Sequence, residues 1–310
     1  MSIINQIEQL PDFKLVGDKN WNKIKNQITF INLLSRYYNI CMNLFKWKGL
    51  PETCDVDYLE HNLFMFGKAI FVNDKEYGYL SLKAMETGKR NIYRKCINWR
   101  AYGFGGYNKP YTLDNGLYGE DAVLIRNNRL MFPTVNIILE YLYDITDIKR
   151  AINVNVNSTK TPTIAYGDAD TVKSLKQVYK QKSDNEAFII VNADLANKLT
   201  VADAKKEFLA DKLLGLKHDM MSELLSFLGI KYIVTEKKER LITDEANAND
   251  MFSIVSLDTM YETRLQACEY INKQFPDLNV SVEINYDIVD MIKELTESET
   301  KEEQPKESEE

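Results

Sequence analysis

Residues 205–228 read KKEFLADKLLGLKHDMMSELLSFL, and they run straight into Gly229-Ile230-Lys231, Glu236-Lys237-Lys238-Glu239-Arg240 and Thr243-Asp244-Glu245. Within the first stretch Leu209, Leu213, Leu216, Met220, Leu224 and Phe227 recur every three or four residues. That period predicts an amphipathic helix of roughly 36 Å. Gly229 stops it in the manner of a C-terminal cap. The segment 231–250 that follows is charged and unpatterned, with no apolar set from which to build a core. Its charges therefore face solvent or a charged partner.

Upstream, Thr134, as a cap, precedes Ile138, Leu142, Ile145, Ile148 and Ile152, which predict a second long helix. The Asn-, Ser- and Thr-rich run 153–161 breaks it. Between the two helices lies a small βαβ-like module: a strand at 163–166, a helix at 172–180 and a strand at 188–192. A further amphipathic helix runs from Trp21 through Ile24, Ile28, Ile31, Leu34, Tyr38 and Cys41 to Phe45, until Gly49-Leu50-Pro51 ends it. Residues 50–133 read as mostly antiparallel β with short helices. Strands are expected at 66–72 and 77–82, and Ala122-Val123-Leu124-Ile125-Arg126 and Arg129-Leu130-Met131-Phe132 flank Asn127-Asn128 as a tight hairpin. Beyond the charged loop, strands are expected at 251–257 and 280–286 around a helix at 259–274, and a short amphipathic segment at 287–295 precedes the tail. The class is α+β, in an elongated subunit whose two long helices bracket a small module, with β-rich material outside both.

A chain of 310 residues exceeds what one core comfortably holds and implies more than one module. Its 45% hydrophobic and 27% charged residues are ordinary for a globular protein, and 18 Tyr and 13 Phe suit strands and subunit interfaces. The net charge of −7 is unevenly spread: the tail from Thr296 to Glu310 holds seven Glu and two Lys, carrying −5 and leaving −2 for the rest. That tail has too little apolar surface to offset ordering entropy and reads as disordered and solvating. The remainder is near neutral, so contact with nucleic acid has to be local. Cys41, Cys54, Cys96 and Cys268 are widely spaced and form no CxxC pair, as expected of reduced core thiols. No apolar run reaches the ~18 residues a bilayer needs, and the N-terminus lacks a leader pattern, which points to a cytoplasm-like setting and no membrane partner.

Searching for chemistry yields mostly absences. His61 and His218 have no second ligand at helical spacing and read as surface or satisfied helix residues. Gly103-Phe104-Gly105-Gly106 continues into Tyr107-Asn108-Lys109-Pro110, not into the Lys-Ser/Thr of a phosphate loop. Arg100, Tyr102, Phe104 and Tyr107 could stack bases, but packing between subunits accounts for them better. Asp168 and Asp170 are the nearest approach to a metal-binding carboxylate pair and read as a turn. No nucleophile elbow is present. The expectation is therefore no enzyme, no cofactor and no metal. Lys231, Lys237, Lys238 and Arg240 would gain force only in a ring, where each becomes a circle of charge offering weak, sequence-independent attraction for phosphates.

The order of these segments resembles the portal protein of small short-tailed bacteriophages, also called the upper collar or head-tail connector. The resemblance rests on the collinear set Leu44-Phe45-Lys46-Trp47 with Leu50-Pro51, Phe66-Gly67, Asn127-Asn128 with Phe132-Pro133-Thr134, Lys160-Thr161-Pro162, and Ser174-Leu175-Lys176-Gln177-Val178-Tyr179. It continues through Phe227-Leu228-Gly229-Ile230-Lys231, Glu236 to Glu245, Asn249-Asp250, Arg264-Leu265-Gln266-Ala267-Cys268-Glu269, Leu278-Asn279-Val280 and Tyr286-Asp287-Ile288-Val289. It implies a dodecameric homo-oligomeric ring at one capsid vertex, through which double-stranded DNA enters in packaging and leaves in ejection. It also implies contacts with the major capsid protein, a packaging ATPase and a lower collar or tail protein, in a virion component assembled in the host cytoplasm.

On that resemblance, residues 1–49 are an N-terminal segment and first helix, 50–133 and 251–286 the wing, and 134–155 and 205–229 the stem helices. Residues 156–204 are the clip, 230–250 the channel loop and 287–310 a short segment with the acidic tail. Lys231, Lys237, Lys238 and Arg240 become DNA-facing loop charges. The N-terminus departs from the family pattern: residues 1–20 carry Lys14 and Lys19 against Glu8, Asp12 and Asp18, not the basic run linked to a packaging RNA. The other reading of the loops at 100–111 and 231–240 is a monomeric, sequence-independent nucleic-acid-binding replication factor.

Overall fold

A computed structural model describes residues 21–159, 163–166, 200–203, 208–230 and 243–288. Helix α1 (Trp21–Met42) is followed by β1 (Phe45–Lys48), α2 (Val56–Phe66), β2 (Lys68–Asp74), β3 (Gly78–Glu86), β4 (Asn98–Tyr102), β5 (Asn108–Thr112) and β6 (Ala122–Arg126). Then come α3 (Thr134–Thr159), β7 (Thr163–Tyr166), β8 (Thr200–Asp203), α4 (Ala210–Phe227), α5 (Thr243–Gln274) and β9 (Ser281–Ile284). The α+β class is as expected.

Strands β2 to β6 form one antiparallel sheet in the order β5-β4-β3-β2-β6. The alternation along β2 sends Ile70 and Val72 to one face, with Leu82, Ala84, Trp99 and Leu124, and sends Ala69 and Phe71 to the other, with Val123 and Ile125. The second face merges with the helices into the larger core, where Ile138, Leu142 and Ile145 of α3 meet Leu224, Leu225 and Leu228 and, from α5, Met260, Ala267 and Ile271.

Several expectations are corrected. The Asn127-Asn128 hairpin does not form, because both side chains bond locally and replace a strand ladder. Asn127 donates from Nδ2 to Phe132 O (3.0 Å) and Thr134 Oγ1 (2.8 Å), and Asn128 Oδ1 accepts from the N–H groups of Leu130 and Phe132. β6 pairs with β2 instead. The break expected at 153–161 is absent through Thr159, to which α3 runs unbroken. The first helix stops at Met42, and Phe45 opens β1, which pairs with β9.

The strand expected at 251–257 is helical: α5 starts at Thr243, so residues 243–250, read as loop, are helix too. Leu257, Met260, Arg264, Ala267, Cys268 and Ile271 are buried at spacings of three and four, so the apolar run is the start of a helical stripe. The strand at 163–166 forms, but its partner is β8, antiparallel, which sequence reasoning had not assigned. The helix expected at 172–180 and the strand at 188–192 lie outside the described residues.

Helix α2 is delimited at both ends. Asp55 Oδ1 accepts from Tyr58 N at 2.9 Å, and Gly67, at φ 72°, donates its N–H to Leu63 O. A Cβ at Gly67 would sit 2.1 Å from Met131 O, a backbone atom that cannot step aside. Gly67→Ala is expected to cost about 3 kcal/mol, the left-handed penalty plus the clash, read as a lower denaturation midpoint.

A buried ion pair joins α2 to α5. Arg264 of α5 donates from Nε and Nη2 to Glu60 of α2 (2.9 and 2.7 Å), from Nη1 to Met260 O (3.0 Å) and from Nη2 to Asn127 Oδ1 (3.2 Å). Trp47 of β1 donates its indole N–H to Glu60 Oε1 at 2.8 Å, and the guanidinium lies 4.1 Å from the Phe45 ring centroid. Both charged side chains are 3% exposed. Strand β1 and the turn that follows β6 thus converge with α2 and α5 on this pair.

Candidate nucleic-acid interface

Helices α3 and α4 run antiparallel: Asn155 Oδ1 accepts from Leu209 N at 3.0 Å near one end, and Tyr141 hydrogen-bonds Glu223 toward the other. Burial, and then that carboxylate, push the Tyr141 hydroxyl up to about 12. The exposed side of the pair carries both signs of charge, with Glu140, Asp144, Asp211 and Asp219 beside Lys212 and an Asp147–Arg150 pair at 3.1 Å. Lys149 is lowered by burial, then by Lys217 of α4 and Arg36 of α1, so three cations gather where these helices meet.

The stop at the end of α4 is a Schellman motif. Gly229 N donates to Ser226 O and Ile230 N to Leu225 O, with Gly229 at φ 77°. Ile230 is fully buried, and a Cβ on Gly229 would lie 2.4 Å from Leu257 Cβ, so α5 packs directly on the stop. Lys231, Lys237, Lys238 and Arg240 lie outside the described residues, between this end and Thr243 in sequence. Asp168 and Asp170 also lie outside them.

The β4–β5 hairpin places the other candidates. Arg100 Nη1 donates to Asn108 Oδ1 at 2.8 Å, and Phe104 stands 89% exposed at the turn. Tyr107 is committed to the fold: its hydroxyl donates to Asp74 Oδ2 at 2.7 Å and sits 2.8 Å from the Tyr111 hydroxyl, and Lys109 Nζ reaches Asp74 at 2.7 Å. Part of the surface on which the replication-factor reading relied is thus engaged internally. His61 is half-buried, 3.1 Å from the Tyr38 hydroxyl, and His218 is half-buried on α4.

Asp74 is buried, and its carboxyl is held well below the usual range, first by the Lys109 ammonium, opposed by burial, and then by the Tyr107 hydroxyl and two backbone N–H groups. Because the folded value lies below the unfolded one, its contribution is complete above about pH 4 and fades as the pH falls through and below that range. The stability gap between wild type and Asp74→Asn is therefore expected to narrow between pH 7 and strongly acidic conditions in urea titrations. A constant gap would contradict this.

The four thiols are buried. Burial pushes Cys54 and Cys268 up to about 12 and Cys41 higher still, so these three remain protonated and unreactive at neutral pH. Among the described residues no three His, Cys, Asp or Glu side chains form a potential metal site, and no helix is long and apolar enough to cross a membrane. Sequence reasoning missed the Glu60–Arg264 pair, although an arginine in phase with Met260, Ala267 and Ile271 was a visible signal.

Residues 12–289 match the family described as Phage Connector (GP10), and the chain belongs to that family. It is a portal protein, the head-tail connector of a bacteriophage, with a structural role in the virion. Two solved structures are similar. One is the portal and tail of native bacteriophage P68, with 13% identity over 93% of this chain and 99% of that one and a TM-score of 0.44. The other is an HK97 family phage portal protein from Corynebacterium diphtheriae, with 11% identity over 87% of this chain and 95% of that one and a TM-score of 0.40.

Proposed function

We propose that this chain forms a dodecameric ring at one capsid vertex, a channel for double-stranded DNA in packaging and ejection and the attachment point for motor and tail. In this reading residues 134–155 and 205–229 are the stem, 156–204 the clip, and 50–133 with 251–286 the wing held within the shell, and the major capsid protein is a partner of the ring. Lys231, Lys237, Lys238 and Arg240 face the DNA. A packaging ATPase supplies the work during assembly in the host cytoplasm, and a lower collar or tail protein joins later.

The observation that carries the reading is the root of the basic segment. The Schellman stop, buried Ile230 and the Gly229–Leu257 contact fix where α4 ends, immediately before that segment in sequence. The mixed-sign helix faces suit it as well, since a channel that let DNA slide needs contacts that are weak, numerous and indifferent to sequence. Immunogold labelling of DNA-filled particles tests the placement: a single labelled vertex per particle is expected, and label at every vertex or at none would contradict it.

A further inference from the structure

The connection from β3 to β4, residues 87–97, reads TGKRNIYRKCI, with KRNIYRK at its apex. Four cations stand in seven residues with no acidic residue among them, in a chain whose net charge is −7. The backbone there is tightly specified. Thr87 N donates to Asn98 O, Ile97 N to Lys89 O and Asn91 N to Lys95 O, each at 2.9 Å, extending the hairpin outward. Arg94 N closes the turn onto Asn91 O, and Asn91 Oδ1 accepts from the N–H groups of Tyr93 and Lys95 at 3.0 Å. The root is fixed by buried Cys96, whose carbonyl accepts the indole N–H of Trp99.

This turn presents Ile92 at 89% exposure and Tyr93 at 76%, with two cations on each side of the apex. Arg90 is tied to Glu86 at 2.9 Å, whereas Lys89, Arg94 and Lys95 make no ion pair among the described residues. Arg94 has φ 61°, a left-handed conformation that glycine or asparagine adopts more readily. The turn itself gains nothing from an arginine there. An uncovered apolar pair flanked by cations fits a groove edge between two rows of phosphates, the cations on the backbone and the apolar side chains against the edge.

We propose that the β3–β4 tip is a second, sequence-independent contact for double-stranded DNA. Lys89, Arg94 and Lys95 bind phosphates, and Ile92 and Tyr93 seat at the groove. The site is separate in sequence from the basic segment 231–240 and does not depend on it; the portal reading supplies the DNA.

The test is fluorescence anisotropy of the full-length chain with a short labelled duplex across a salt series. Lys89→Ala/Arg94→Gly/Lys95→Ala removes three charges while relieving the left-handed residue, so its thermal midpoint should not fall. Its duplex affinity at low salt is expected to drop at least about tenfold, and the log–log salt slope to shrink by about 2 to 3. Ile92→Ser/Tyr93→Ser should weaken binding at every salt concentration with the slope retained. Unchanged affinity and slope in the charge variant overturn the proposal. So does a loss confined to single-stranded oligonucleotide, or a tip-dependent binding of polyglutamate with none of the duplex. Alanine at Lys231, Lys237, Lys238 and Arg240 separates the two readings: if it alone removes duplex binding, the tip proposal fails and the channel reading stands.

Discussion

Arg264→Leu is expected to lower stability by about 3–5 kcal/mol, because it leaves the Glu60 carboxylate buried at 3% exposure without its counter-charge. The guanidinium also supplies donors to Met260 O and Asn127 Oδ1, so three partners lose a hydrogen bond together. The double variant Glu60→Leu/Arg264→Leu should be less impaired than Arg264→Leu alone, since no isolated charge remains. It should still fall short of wild type, because Trp47 Nε1 and Asn127 Oδ1 are left without these partners. Denaturation midpoints measured at one fixed protein concentration decide this, a condition that matters for any oligomer. An Arg264→Leu midpoint equal to wild type would show that the pair does not hold α2 to α5.

Neutralising Lys237, Lys238 and Arg240 together is expected to leave ring assembly intact and to impair retention of packaged DNA. On the proposed reading the three charges serve the DNA path and not the contacts between subunits, so assembly is expected to survive their loss. In the proposed ring each weak phosphate contact would be repeated by every subunit, so a change trivial in one chain would be multiplied. Quantifying DNA in purified particles carrying the triple variant checks the prediction. Normal retention would remove these residues from the DNA path while leaving the ring untouched.

Much of the architecture was legible because the apolar spacing was long and regular. α4, the body of α3 and the later part of α5 follow directly from Leu213-to-Phe227, Ile138-to-Ile148 and Met260-to-Ile271. Misreadings came where a short signal had two meanings. The apolar residues at 251–257 suit a strand until their phase is carried into Met260 and Arg264, and Asn127-Asn128 suits a hairpin until its side chains are seen bonding the turn into α3. Neither β7–β8 pairing nor the meeting of Glu60 with Arg264, 204 residues apart, can be read from local pattern. The basic tip at 89–95 was visible in the sequence, but only the exposure of Ile92 and Tyr93 and the left-handed Arg94 distinguish it from a solvated turn.

Electron microscopy of the purified full-length chain, without other phage components, would show directly whether the proposed ring with a DNA channel forms. Closed twelve-fold rings with an axial opening that admits a duplex are the expected result. Particles that remain monomeric at every concentration tried would contradict it.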